Sequence, residues 1–371
     1  MNGIRVVASK AELNSFIEFP YTHYAGDTHW VPPLRLMMKD LLDREKHPFF
    51  KNAEADYFLA ERDGVIVGRV AAIKSEAYIR HSGNNAAFFG FFEVVDDPSV
   101  VALMMRVVED WAKVRGMDSV IGPMSPNMMG EMGFLVEGFD TDPTILMPYT
   151  KPYYDRLITE AGYAKEVDLV AYLLTRDNLD YEHVEKGNAL VRRRYPTLSV
   201  RGVDKKNFKS EALIIGEIFN QAWSKNWGFA PLSKDEFAHL ANDLKLLINF
   251  DFAHIAEDNG KPIAFSISLP DYNVLLKKMN GNLLPTGIFH LLFGRKKINT
   301  LRTALMGVLP EYHGKGVDSF VILEGLKTGL AQGYQSSELS WLLETNTAMI
   351  NVAERMGAKL DKRYRTYKKT I

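Results

Sequence analysis

The sequence predicts an α/β fold made of two copies of one unit, and three observations carry that prediction. Residues 61–73 (ERDGVIVGRVAAI) and 257–269 (EDNGKPIAFSISL) share a polar turn with one glycine and then an apolar strand; Gly64 and Gly68 match Gly260 and Ala264. Residues 160–172 (EAGYAKEVDLVAY) and 355–367 (RMGAKLDKRYRTY) share a helix end, a glycine stop and a strand. The spacings nearly agree: Gly64 and Gly260 lie 196 residues apart, Gly162 and Gly357 lie 195 apart, as tandem duplication requires.

Each copy reads strand, helix, strands, helix, strand, helix, strand. In the first, Val100, Leu103, Met104, Val107, Val108 and Trp111 recur at helical spacing. DSVIGP follows as a buried strand, and KPYYDRLITEAGY as a helix stopped by Gly162. In the second, LRTALMGVLP is a strand, residues 317–330 a helix, ELSWLLET a strand and TAMINVAERMG a helix. Strands alternating with helices indicate an α/β sheet. The polar stretch 175–183 (TRDNLDYEH) places the expected domains at 1–178 and 179–371. Residues 271–299 are extra in the second copy, and the long segment 123–148 is peculiar to the first.

Composition narrows the function. With 371 residues and 46% hydrophobic content there is enough chain for two packed cores. Lysine plus arginine (45) nearly balances aspartate plus glutamate (46), which argues against a nucleic-acid partner. The absence of cysteine excludes disulfides, thiolate metal sites and cysteine nucleophiles, and the nine histidines show no metal-ligand spacing, so no metal is expected. The N-terminal residues lack the apolar core of a signal peptide, and no stretch approaches the roughly 20 apolar residues of a membrane span. The expectation is a cytoplasmic protein with at most peripheral membrane contact.

The segment LPEYHGKGVDSFVILEGL (309–326) sets a glycine pair and a lysine after an apolar strand and before a helix. A helix start with free N–H groups is an anion site, and glycine lets a ligand approach the backbone; the plain alternative is a helix-opening turn. Together with ETNTAMINVAERMGAKL (344–360), it resembles the two signatures of the Gcn5-related N-acyltransferase superfamily, Gln/Arg-x-x-Gly-x-Gly/Ala and Asn-x-x-Ala-Ile-x-Leu-Tyr-Glu-x-x-Gly, with Asn346, Ile350, Glu354 and Gly357 in register. The whole resembles the two-copy bacterial branch that includes bacterial ceramide synthase-like proteins. The resemblance implies, for each copy, a mixed, mostly antiparallel sheet flanked by helices. It also implies an acyl-CoA co-substrate, with the pyrophosphate held by backbone amides of His313, Gly314, Lys315, Gly316, Val317 and Asp318, Asn346 nearby, and a backbone amide near Val308 stabilising the developing oxyanion.

The departures are informative. His313 stands at a Gln/Arg position, Asp318 at a Gly/Ala position, and Ala353 where a tyrosine often protonates the departing thiolate. In the first copy the matching helix opens with VVDDPSVV (94–101), whose acids suit the helix dipole and repel pyrophosphate, so one acyl-CoA per chain is expected. For the amine's proton, Glu344 at the end of its strand is a candidate base, or else a solvated strand-end glutamate. Glu131, Glu137, Asp140 and Asp142 lie in the 123–148 segment, which is read as a wall of the acceptor site with Glu131 and Glu137 as candidate catalytic acids; its methionines Met124, Met128, Met129 and Met132 suit an apolar ligand or a core equally. Residues 226–237 (NWGFAPLSKDEF) read as a loop packed on the second core. Residues 283–297 (LLPTGIFHLLFGRKK) either cover the sheet, the preferred reading, or touch a lipid.

The expected activity is acyl-CoA-dependent transfer to an amine, small or lipid-like. Its rivals are a silent CoA- or ligand-binding protein and an aminoacyl-tRNA-dependent transferase.

Overall fold

The structure, a computed structural model, describes residues 2–245, 247–285 and 287–371. In chain order the elements are β1 (Asn2–Val6), α1 (Lys10–His23), α2 (Arg35–Leu41), β2 (Ala53–Arg62), β3 (Val65–Ser75), α3 (Glu76–Ser82), β4 (Ala86–Val94), α4 (Pro98–Val114), β5 (Ser119–Gly122), β6 (Met124–Ser125), β7 (Glu131–Met132), β8 (Phe134–Glu137), α5 (Tyr154–Glu160) and β9 (Ala164–Thr175). They continue as α6 (Tyr181–Arg194), β10 (Leu198–Gly202), α7 (Phe208–Ala222), α8 (Lys234–Leu244), β11 (Ala253–Asp258), β12 (Lys261–Pro270), α9 (Asn273–Met279), α10 (Gly287–Gly294), β13 (Thr300–Val308), α11 (Val317–Ala331), β14 (Ser336–Leu343), α12 (Thr347–Arg355) and β15 (Lys359–Thr370).

The chain packs as two compact units. The first holds residues 1–169, 273–293 and 362–371; the second holds 170–272 and 294–361. Relative to a cut after residue 178, the insertion carrying α9 and most of α10, together with the C-terminal strand, belongs to the first unit.

The duplication shows in the turns. Asp63–Gly64 and Asn259–Gly260 each place two successive residues at positive φ (50° and 81°, 50° and 78°), the two-residue turn that matches the twist of an antiparallel hairpin. The hairpin β2–β3 carries a bulge between Ala60 and Glu61, and β11–β12 carries one between Ala256 and Glu257, again 196 residues on. In front of each hairpin, β1 pairs β2 from Asn2↔Arg62 and β10 pairs β11 from Leu198↔Asp258, at that same spacing.

The first unit's sheet runs β1-β2-β3-β4-β5-β15. All neighbours are antiparallel except β4 and β5. Its core lies under α4, whose Val100, Val101, Met104, Met105, Val108 and Trp111 are buried; Leu103, expected on this face, is 37% exposed. The sixth strand comes from the far end of the chain, Tyr367 pairing Gly122. Arg365 fixes it with two bonds to the buried Asp168 carboxylate, at 2.8 and 3.1 Å, whose pKa those cations hold low despite the opposing effect of burial. In the 123–148 segment, Met124, Met128 and Met132 are buried, packing as core.

The second unit's sheet runs β10-β11-β12-β13-β14, with only β13 and β14 parallel. Phe219 and Ile215 of α7 and Phe320 and Val321 of α11 are buried in its core. Gly357, which ends α12, has φ +97°, and a Cβ there would stand 1.7 Å from the Asn178 carbonyl oxygen.

Candidate functional site

The second unit's sheet opens where its two parallel strands part. β13 and β14 pair from Thr300↔Ser336 to Thr303↔Leu339, yet β13 continues to Val308 and β14 to Leu343. On its other edge β13 stays paired with β12 up to Val308↔Ala264. The next N–H, of Leu309, donates to Ile263 O at 2.9 Å. Backbone groups alternate in direction along a strand, so the N–H and C=O of Val308 face the notch. There the Val308 carbonyl accepts from His313 Nε2 at 2.9 Å, and the Met306 carbonyl accepts from Trp223 Nε1 at 2.8 Å.

The glycine loop stands over this notch. After a tight turn at Pro310–Tyr312, Gly314 and Gly316 take φ +71° and +77°. Gly316 is the N-cap of the 15-residue α11, and no side chain closes that cap. By contrast Ser9, Asp97, Ser233 and Asn346 cap α1, α4, α8 and α12 with their own oxygens. Lys315 is exposed, its ammonium 4.7 Å from the Tyr312 ring centre. The end of α6 passes alongside: a Cβ on Gly316 would meet Val191 Cγ2 at 2.6 Å. The last turn of α6 carries Arg192, Arg193 and Arg194.

Between loop and strands lies a cavity of about 650 Å³. Its wall includes β13 residues from Leu301 to Val308, seven steps or about 23 Å at strand rise. Over the notch the wall is aromatic, with Trp223, Trp227 and Trp341, three of the chain's five tryptophans. Ser268 and Thr303 add a hydroxyl pair 3.0 Å apart. Away from the loop it runs under α11 and α12, where the wall is Val321, Ile322, Leu326, Val352, Ala353 and Met356. Gly325 and Gly329, one helical turn apart on the same face, line this arm and leave room that side chains would fill.

Of the residues singled out in the sequence, Val308, His313, Gly314, Asp318 and Asn346 are on this wall, and Lys315, Gly316 and Val317 complete the loop. Asp318 is the one acid on the wall among the described residues. Asn346 doubles as the α12 cap, accepting from Met349 N–H at 3.3 Å. Glu344 follows β14 directly, partly exposed, and is not a wall residue. Glu131 and Glu137 belong to the first unit. Glu137 is exposed and ion-paired to Arg363 at 3.1 Å. Glu131 is reached by solvent in a recess whose protein walls raise its carboxyl pKa, while Arg69 draws it down. In the loop 226–237, Phe229 is buried as core, but Asn226 and Trp227 line the cavity. Tryptophan spacing carried no signal for this: the three come together only through folding.

The first unit fills its own notch. β4 and β5 pair from Ala86↔Ser119 to Phe88↔Ile121. Val95 N–H donates to Val67 O at 3.0 Å, Val67 standing 196 residues before Ile263, so Val94 faces the gap as Val308 does. Here both backbone groups of Val94 are taken: its N–H donates to Tyr154 Oη at 3.1 Å and its C=O accepts from Tyr153 Oη at 2.9 Å. Tyr154 also donates to Glu93 at 2.7 Å, and Tyr24 does so at 2.8 Å. Burial pushes the Glu93 carboxyl up to about 7 against the pull of Arg69; burial also holds the neighbouring His23 down at about 4. At the 195-residue spacing, Tyr153 and Tyr154 match Ala348 and Met349, both on the second unit's cavity wall. That size difference was the sequence signal for an occupied notch.

No family model matches the chain. It is 36% identical over 380 residues to Protein YghO of Escherichia coli (strain K12), covering 99% of this chain and 95% of that one. It is 34% identical over 373 residues to the bacterial ceramide synthase of Caulobacter vibrioides (strain NA1000 / CB15N), covering 98% and 96%. Among solved structures, a tandem GNAT protein from the clavulanic acid biosynthesis pathway superposes with a TM-score of 0.57 at 12% identity, covering 100% of this chain and 98% of that one. A GCN5-related N-acetyltransferase from Sphaerobacter thermophilus does so with 0.54 at 11%, covering 100% and 95%. The copies, the parted strands and the glycine loop are thus set in a known architecture, the fold of a tandem GNAT protein, and the chain belongs to the family of YghO and the bacterial ceramide synthase.

Proposed function

We propose that the protein is an acyl-CoA-dependent N-acyltransferase with one working site, in the second unit, and that it transfers a long acyl chain to a lipid-like amine. The observation that carries this reading is the cavity: it joins an uncapped helix start to an exposed strand edge and continues as an apolar arm under α11 and α12.

The pyrophosphate rests on the N–H groups at 314–318, with charge from Lys315 and the basic end of α6. The thioester carbonyl lies in the notch, and the Val308 N–H stabilises the oxyanion as the tetrahedral centre forms. The acyl chain extends along Gly325 and Gly329, where each buried methylene contributes about 0.8 kcal/mol.

Proton transfer falls to His313. Its Nε2–H bond to Val308 O leaves Nδ1 as the lone-pair nitrogen, beside the reacting carbonyl. The amine's nitrogen forms the C–N bond, His313 takes the proton released, the C–S bond breaks, and the thiolate receives that proton to leave as CoA thiol. Asp318 attracts the incoming ammonium, which gives one proton to solvent and attacks as the neutral amine. This assignment sets His313 in place of Glu344 as base, and gives Ala353 no chemical part. The name of the Caulobacter relative, a ceramide synthase, supports a lipid amine as acceptor.

Thiol release measured with acyl-CoAs from acetyl to palmitoyl, against amines of increasing length, tests the reading. kcat/KM is expected to rise with chain length on both partners. A flat trend would leave a small-molecule acyltransferase, and CoA binding without turnover would leave a silent binding protein.

A further inference from the structure

We infer that the first unit docks on an anionic lipid surface through an apolar face built by α2, Leu284 and residues 287–293. Leu284, Phe289, Leu292 and Phe293 expose between 58% and 75% of their surface, and Ile288 a further 37%. On α2, Leu36 and Met37 are exposed as well. The chain just ahead of Leu284 is tied to α2: Arg35 N–H donates to Gly281 O at 3.0 Å and its guanidinium to Asn280 O at 3.0 Å. Gly281 sits so close that a Cβ would strike the Tyr21 ring at 2.4 Å. Phe289 and Phe293 run parallel, their ring centres 6.4 Å apart, and both stay exposed. Apolar side chains gathered like this on a soluble surface mark a contact with a partner or membrane.

Charge selects the occupant. From Tyr272 to Pro310 the sequence holds no aspartate or glutamate, in a chain with 46 of them. It holds Lys277, Lys278, Arg295, Lys296, Lys297 and the buried Arg302 instead; Arg295, Lys296 and Lys297 are exposed and follow α10 directly. Lys277 is paired with Asp142, and Asp40 is the one acid on α2. Exposed phenylalanine and leucine with a basic fringe is the pattern of an element lying in the headgroup layer, its side chains reaching into the acyl boundary, and anionic headgroups attract nearby lysines. A second copy of this chain is a poorer fit, because a two-fold contact sets the same basic fringe against itself. With eight residues, about 12 Å long, α10 lies in the surface; no described helix is long and apolar enough to cross a membrane.

This inference is independent of the acyl-transfer reading, and its test uses no acyl-CoA. The full chain is co-sedimented with vesicles of phosphatidylcholine alone and of phosphatidylcholine with phosphatidylglycerol, at low and high salt. Binding to the anionic vesicles is expected, weakened by salt. A Phe289→Ser, Leu292→Ser, Phe293→Ser variant should bind about tenfold or more weakly. Lys296→Glu with Lys297→Glu should bind weakly and lose the salt dependence. These positions are exposed, so unchanged thermal melts will show that both variants fold. Absence of binding to anionic vesicles, or equal binding by the apolar variant, would overturn the inference. So would light scattering in which wild type is a dimer and the apolar variant a monomer, since a second copy would then own the face.

Discussion

Tyr154 Oη accepts the Val94 N–H at 3.1 Å and donates to Glu93 at 2.7 Å, so one hydroxyl closes the strand edge that a thioester would need and ties down a half-buried carboxyl. The same edge in the second unit, at Val308, has the His313 ring against its carbonyl. One duplicated design therefore has one notch shut by side chains. Titration with acyl-CoA is expected to saturate at one equivalent per chain, and a calorimetric stoichiometry of two would contradict it.

The Glu93 carboxyl gives that plug a pH dependence. Its folded pKa of about 7 lies above the ordinary value of 4.5, so the folded state binds the proton more tightly than the unfolded chain. The stability this supplies is complete below pH 4.5 and is lost as pH rises through 7. Glu93→Gln keeps the tyrosine bonds and removes the titration. Relative to wild type, it is expected to gain on the order of 2 kcal/mol between pH 4.5 and 8. His23 titrates alike in both proteins and drops out of the difference. Urea melts across this range check it; a constant difference would show that Glu93 does not titrate there.

Gly325 is expected to govern chain length. Leucine at this exposed-to-cavity position fills the arm, and it also improves helix propensity by about 1 kcal/mol, so the variant should fold. kcat/KM for palmitoyl-CoA should fall at least tenfold while acetyl-CoA is handled as before. Equal losses for both would mean that the arm does not hold the acyl chain.

His313 and Glu344 make opposing predictions about the base. His313→Gln should lower kcat by about 10²-fold or more, with the KM for acyl-CoA little changed. Glu344→Gln should leave kcat in place. The reverse outcome in steady-state kinetics would restore Glu344 to the role.

Gly357→Ala is expected to destabilise strongly. Alanine is strained at φ +97°, and its methyl would lie 1.7 Å from the Asn178 carbonyl oxygen, so the α6 approach must move. A loss of about 3 kcal/mol or more would appear as a thermal midpoint lower by roughly 6–12 °C.

The sequence showed what is local. Asp63–Gly64 and Asn259–Gly260 are turn signals, and their 196-residue spacing carried the duplication and hence most of the strands. The glycine loop was legible because helix starts, glycines and lysines act within a few residues. Contacts over long separations were not. Trp223, Trp227 and Trp341 meet across the cavity, and Tyr154 reaches Val94 over 60 residues. The face of α10 was hidden for another reason. Its helix is too short and too uniformly apolar for periodicity to separate a buried side from an exposed one.

The strand that completes the first unit's sheet is the last stretch of the chain, residues 362–371. During synthesis the first 169 residues therefore emerge with an open sheet edge, and they keep it until residues 362–371 have been made. The two copies cannot be separated by cutting the chain between them, since either fragment would take a strand from the other's fold. A stop codon just before residue 362 would remove that strand and leave open the sheet edge at β5, built about 240 residues earlier in the chain.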